Sequence, residues 1–243
     1  MKSIILIVLA VTTLTSDAQS VLIPGKKSFE NKWIGNTSYE MAWYAIKDTS
    51  KFEIGKISTQ IVKDKNSVTV ITQVSMKNMN HSWIDSTIAG ISNLKPIYHS
   101  SYNKQRDMVL HFGKIVTGFY NDKIKKIYTS INDTTKTEYF DSNLYPTLIG
   151  WLPLKDGYKQ DISIYDYNPS GKIGVLKASL KEVKSGTYES AAGRIRNVWI
   201  VTMSDEIGDD GNVSTYYFDK IDRKLWKQEI NAGGRKMVMQ LIE

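Results

Sequence analysis

With 243 residues, 41% of them apolar, the chain is long enough to bury the core of one large domain or two small ones. It contains no cysteine, which excludes disulfides, thiolate metal sites and a thiol-linked lipid anchor, so whatever fold forms is held by its core. The net charge of +7 comes from lysines scattered over turns and polar strand faces, not from a block, and that pattern describes a solvated surface.

The chain opens with MKSIILIVLAVTTLTSDAQS. Lys2 gives a positive start, residues 4–11 an unbroken apolar run and Ala18 a small residue at a cleavage position, which predicts a signal peptide over 1–18 and a mature chain starting at Gln19. The apolar run falls well short of the roughly 20 residues that span a bilayer. Export to the periplasm or cell envelope is the expectation, and it argues against nucleic acid as a partner. No Gly/Ser/Pro-rich linker divides the remaining sequence, so residues 19–243 are expected to form a single β-rich domain.

From residue 38 onward apolar and polar residues alternate. In NSVTVITQVSM, Val68, Val70, Thr72, Val74 and Met76 share one face and Ser67, Thr69, Ile71, Gln73 and Ser75 the other, the mark of a half-buried antiparallel strand. Similar runs recur in YEMAWYAI, KFEIGKISTQIV, DMVLHF, QDISIYDY, RNVWIVTMS and RKMVMQLIE, separated by turns such as KDKN and AGG. The fold expected is all-β: about a dozen strands in a strongly curved antiparallel sheet, an unclosed barrel or sandwich-like, with a short helix packed on the concave face.

One hairpin can be taken residue by residue. A five-residue loop in SYNKQRDM would pair Tyr102 with Met108, Tyr98 with Phe112 and His99 with His111, with the Tyr98 and Phe112 side facing inward. The stretch YPTLIGWLPLKDGY breaks the alternation. Its Pro146, Gly150 and Pro153 argue against a central strand, and a short helix over 144–152 fits better, capped by Asn143 and stopped by Pro153. Apolar nearly all round, such a helix would be buried as a plug against the sheet, with Trp151 as its anchor against strand residues such as Trp199 or Trp226.

Residue types suited to chemistry are sparse. His99 and His111, as neighbours on a solvent face, would need His81 or Asp85 to complete a metal site, and two surface histidines are the expectation. The acidic loop SDEIGDDGN lacks the ligand spacing of a calcium loop and reads as a hairpin turn at Asp210-Gly211. There is no nucleophile elbow, zinc-protease helix, phosphate loop or dinucleotide fingerprint. Neither an enzyme nor a cofactor or metal is expected. The candidate ligand-binding residues are apolar: Trp151, Leu148, Tyr98, Phe112, Trp199 and Trp226.

The segments YEMAWYAIKDTSKFEIGKIS, DSTIAGISNLKPIYHSSYNKQRDMVLHF and LYPTLIGWLPLKDGY, with the closing STYYFDKIDRKLWKQEINAGGRKMVMQLIE, resemble a family of bacterial exported proteins of unknown function, itself similar to the lipoprotein-localisation carriers. The resemblance implies a half-barrel wrapped around a short helix. The chain differs from those carriers in length and in lacking their arginine-centred helix-closing arrangement. The function expected is a non-catalytic exported binding protein that holds an apolar or amphipathic ligand, such as a lipid, on a concave β-surface. The alternatives are a structural protein of envelope assembly, partnered by another envelope protein, and a glycan-binding β-sandwich.

Overall fold

The computed structural model of the chain describes residues 20–25, 29–77, 80–208 and 212–243. The signal peptide expected over 1–18 and the Asp210-Gly211 turn lie outside the described residues. Among the described residues fifteen strands form one sheet. The first eight are β1 (Thr37–Lys47), β2 (Ser50–Lys63), β3 (Ser67–Met76), β4 (Ser82–Gly90), β5 (Pro96–Tyr102), β6 (Arg106–His111), β7 (Ile115–Asp122) and β8 (Ile127–Thr134). A two-residue strand, β9 (Phe140–Asp141), leads into the helix α1 (Tyr145–Trp151). The rest are β10 (Gln160–Tyr167), β11 (Ile173–Glu189), β12 (Ile195–Asp205), β13 (Val213–Asp219), β14 (Leu225–Ala232) and β15 (Arg235–Leu241).

Nearly every strand pairs antiparallel with its neighbour in sequence, and the first and last, β1 and β15, pair in the middle of the sheet. That leaves β8 at one edge and β9 at the other. Laid flat, the sheet would hold those edges more than about 60 Å apart, at ~4.8 Å per strand. The connection 135–139 can span no more than about 20 Å. The sheet therefore curls until its edges approach. β9 pairs parallel with β10 alone, and the gap to β8 is crossed by a side chain, Tyr165 Oη donating to Asp133 Oδ2 at 3.0 Å. The result is an unclosed barrel. Among the described residues no helix is long and apolar enough to cross a membrane.

The helix lies inside the curve. Leu144, Leu148, Ile149 and Leu152 are fully buried and join Phe140, Ile162, Ile164, Val183, Val201 and Met203 in the main core. Pro146 sits in the first turn, where a missing N–H removes no helical bond, and Leu152 turns extended before Pro153. Asn143 does not cap the helix. Leu144 takes the N-cap position without a side-chain hydrogen bond, Asp141 shapes the turn before it by accepting from Asn143 N at 3.2 Å and Leu144 N at 3.0 Å, and the Asn143 amide is spent on Thr87.

The hairpin β5–β6 differs from the sequence expectation by one residue. Asn103 folds its side chain into the turn and accepts from the backbone of Gln105 and Arg106, so the loop closes tightly and Tyr102 faces Asp107. His99 then opposes Leu110, and Tyr98 opposes His111. A slip of one exchanges faces along the whole pairing. His99 points inward with Met108 and Leu110, while Tyr98 shares the other face with His111 at 5.4 Å between rings.

Candidate functional site

Between α1 and the concave sheet lies a cavity of about 600 Å³. Alternation along the strands builds its walls. Thr37, Tyr39 and Met41 line it from β1, Ile57, Thr59 and Ile61 from β2, and Tyr216, Phe218, Gln228 and Met239 from β13 to β15. The helix contributes Pro146, Thr147, Gly150 and Trp151, the 3.6-residue neighbours that its large apolar residues leave free. Gly150 lets the helix approach Phe218 closely, since a Cβ there would stand 3.0 Å from the ring and press on it. Exposed Gly35, Asn36, Ser38, Asp222 and Lys224 mark the mouth.

The lining is mixed, with hydroxyls from Thr37, Thr59, Thr72 and Thr147 among aliphatic and aromatic walls. Burial pushes the phenols of Tyr39 and Tyr216 above their ordinary range, so both stay neutral hydrogen-bonding groups. Tyr145, behind the wall, donates its hydroxyl to Asp205 and is likewise held protonated by burial.

At the mouth a short 3-10 turn, Asn31–Trp33, closes on the turn between β13 and β14. Glu30 N donates to Trp151 O at 2.8 Å, tying this segment to the helix. The guanidinium of Arg223 lies 4.9 Å from the Trp33 ring and 6.0 Å from Trp199. Its ion partner is Glu30, at 3.6 Å from Nη2. Burial lowers the Arg223 pKa against the opposing pull of Glu30. Burial would raise the Glu30 carboxyl, but the Trp33 N–H at 2.7 Å and the charges of Lys32 and Arg223 hold it below the usual range.

A second buried polar cluster joins β9 to β4 and β5. Asp141 accepts from His99 Nδ1 at 2.9 Å and from Thr87 Oγ1 at 2.5 Å, and Asn143 Nδ2 donates to Thr87 Oγ1 at 2.9 Å. Next to it Ser142 donates to Asp166 at 2.7 Å. Burial alone would push the His99 imidazole down, but the adjoining Asp141 carboxylate outweighs it and the pKa is raised. Burial also raises Asp166, only partly offset by Ser142. The expectation of two neighbouring surface histidines is overturned: His99 is buried on this cluster and His111 is exposed on the opposite face.

The six residues singled out from sequence are distributed over four environments. Trp151, 4% exposed, lines the cavity and packs in the main core. Leu148 is core beneath the helix, and Trp199 packs at the edge of the same cluster beside Arg223. Phe112 belongs to a second cluster with Met108, Leu110 and Tyr165. Trp226 belongs to a third with Val198 and Leu241, its Nε1 donating to Asp219 at 3.0 Å, and is not packed with Trp151. Tyr98 is on the face away from His99. Sequence reasoning missed Trp33, Glu30, Arg223 and Gly150. Arg223 lies within the closing segment STYYFDKIDRKLWKQEINAGGRKMVMQLIE, but nothing local says that it turns inward.

Fold and cavity together define an unclosed β-barrel-like protein with an interior site beneath the short helix α1. Among solved structures the chain is similar to the beta-barrel-like protein of domain of unknown function DUF1849 from Brucella abortus, with a TM-score of 0.56 and 10% identity over 89% of this chain and 98% of that one. That likeness is one of fold. No curated protein matches. The chain belongs to the family described as protein of unknown function DUF3108, whose family model matches residues 38–240. Neither match links it to the lipoprotein-localisation carriers.

Proposed function

We propose that this is a non-catalytic, exported binding protein of the periplasm or cell envelope that holds an apolar or amphipathic ligand, a lipid in the simplest case, between α1 and the concave sheet. The observation that carries this reading is the cavity itself. Its volume of about 600 Å³ falls within the ~300–1,000 Å³ typical of small-molecule sites. Its walls mix aliphatic and aromatic side chains with hydroxyls, the amides of Asn143 and Gln228 and charged groups at the mouth, a lining suited to a ligand with an apolar body and a polar end.

Native mass spectrometry of protein taken from its own host tests the reading. The expected result is an adduct of lipid mass that organic solvent strips away. A bare chain that also shows no thermal shift on addition of a single-chain amphiphile would overturn it. The envelope-assembly reading has one observation in its favour: β8 is a free edge, with Ile127 and Tyr128 more than half exposed. A co-purifying protein in place of a lipid would favour it. The glycan-binding sandwich has no such support, because the strands form one sheet.

A further inference from the structure

We infer that the ligand of this cavity carries an anionic head, a carboxylate or phosphate on a single apolar chain, and that Arg223 is its anchor. The inference rests on the binding role proposed above and adds the class of ligand. Arg223 lines the cavity at its mouth with a side chain that is only 8% exposed. Among the described residues its Nε and Nη1 find no hydrogen-bond partner. A guanidinium carries five donors and stays charged, so leaving two nitrogens dry and unpaired is costly unless something else completes them.

The resting counter-ion does not. Glu30 stands 3.6 Å from Nη2, beyond hydrogen-bond length, and its carboxylate is already taken by Trp33 Nε1 at 2.7 Å and Lys32 at 3.0 Å. One carboxylate thus serves two cations, and Asp222 at the mouth offsets one of them, so that Lys224 leaves the mouth with a small net positive charge. The aromatic faces of Trp33 and Trp199 hold the guanidinium in place without neutralising it. Arg223 has φ of 62° and its N–H is fixed on Asp219 O at 3.1 Å, which sets the turn that carries the side chain.

An incoming anion takes the place of Glu30. Its oxygens pair with Arg223 while its chain runs down between Met41, Ile57, Phe218 and the Gly150 face of the helix. Glu30 leaves by rotation of its side chain, which is 31% exposed, while its backbone stays tied to Trp151 O and Trp33 stays over the guanidinium.

The test compares hexadecanoate, hexadecyl phosphate and hexadecan-1-ol, each below its micelle concentration, by quenching of tryptophan fluorescence in the full chain and in Arg223→Gln and Glu30→Gln. The native protein should bind the two anions about tenfold more tightly than the alcohol, the size of a charge-assisted pair over a neutral one. The tighter of the two anions identifies the head. Arg223→Gln should bring all three to the affinity of the alcohol, and Glu30→Gln, which removes the competing carboxylate, should widen the preference. Equal binding of all three probes by the native chain would overturn the role of Arg223 and leave the cavity reading standing. Binding of none would overturn both. If Arg223→Gln fails to fold, an unchanged preference in Glu30→Gln overturns the exchange of Glu30 for the ligand.

Discussion

The two faces of α1 are built from different kinds of residue. Leu144, Leu148, Ile149 and Leu152 face a closed core and are wholly buried, whereas Pro146, Thr147 and Gly150 face the cavity and are small or half-polar. Seven helical residues could not hold themselves in water, since so short a helix is unstable alone. The core face fixes the helix in space, and that leaves the other face free to be shaped by something besides packing. A residue apolar by composition is thus not always a packing residue. What separates the two sets is the space opposite them.

The largest effects belong to the core face and to Trp151, which borders both. Trp151→Ala should lower unfolding free energy by about 3–5 kcal/mol and Leu148→Ala by about 2–5 kcal/mol, read from urea denaturation midpoints at constant slope. A loss under about 1 kcal/mol at Leu148 would mean that the helix is a lid and not a plug, because lids come from the weakly held parts of a structure.

The next effect concerns the cluster that pins β9 just ahead of the helix. Asp141→Asn removes the charge beside His99 and should cost about 2–3 kcal/mol, as expected when a buried, hydrogen-bonded pair loses one partner. The sign with pH is set by the two raised groups. His99 has a folded value above its ordinary 6.5, so its stabilisation is complete below that value and is lost as pH rises through the raised one. Asp166, also raised, favours its protonated form in the fold, and its contribution too declines with rising pH, beginning from the ordinary carboxylate value of 3.8. The denaturation midpoint should therefore fall as pH rises above the ordinary imidazole value of 6.5, and His99→Gln should flatten that fall. A native midpoint that rises over the same range would contradict this arrangement.

Much of this frame was legible in the sequence, for physical reasons. A period of two survives in a chain whether or not the partner strand is known, so the strands from 38 onward and the all-β class could be read directly. The prolines at 146 and 153 bracket the helix because they act on their own backbone. The hairpin register was not legible, because it hangs on one side chain, Asn103, choosing to bond within the turn. His99 looked like a surface residue for the same reason: a slip of one carried it inward to a carboxylate more than 40 positions away. Arg223 was hidden by its setting. A charged turn between strands is usually solvated, and only the approach of Trp33 and Trp199 from distant parts of the chain makes this one an interior cation.

The smallest expected change in stability is the sharpest test of the division between faces. Thr147→Val keeps the shape of the side chain and replaces a hydroxyl with a methyl on the cavity face of α1. β-Branched residues have nearly equal helix propensity, and Thr147 is only half-buried, so the denaturation midpoint should move by less than about 0.5 kcal/mol. The same exchange at a core position would be felt through packing. On the cavity face it should be felt through the ligand instead: retention of an apolar chain is unchanged or slightly tighter, because the wall beside it becomes more apolar, whereas a ligand that sets a polar group against the helix is held less well. The readout is the pair of numbers together, midpoint and affinity. A midpoint shift of more than about 1 kcal/mol would show that Thr147 belongs to the packed core, and the two faces of the helix would then be one.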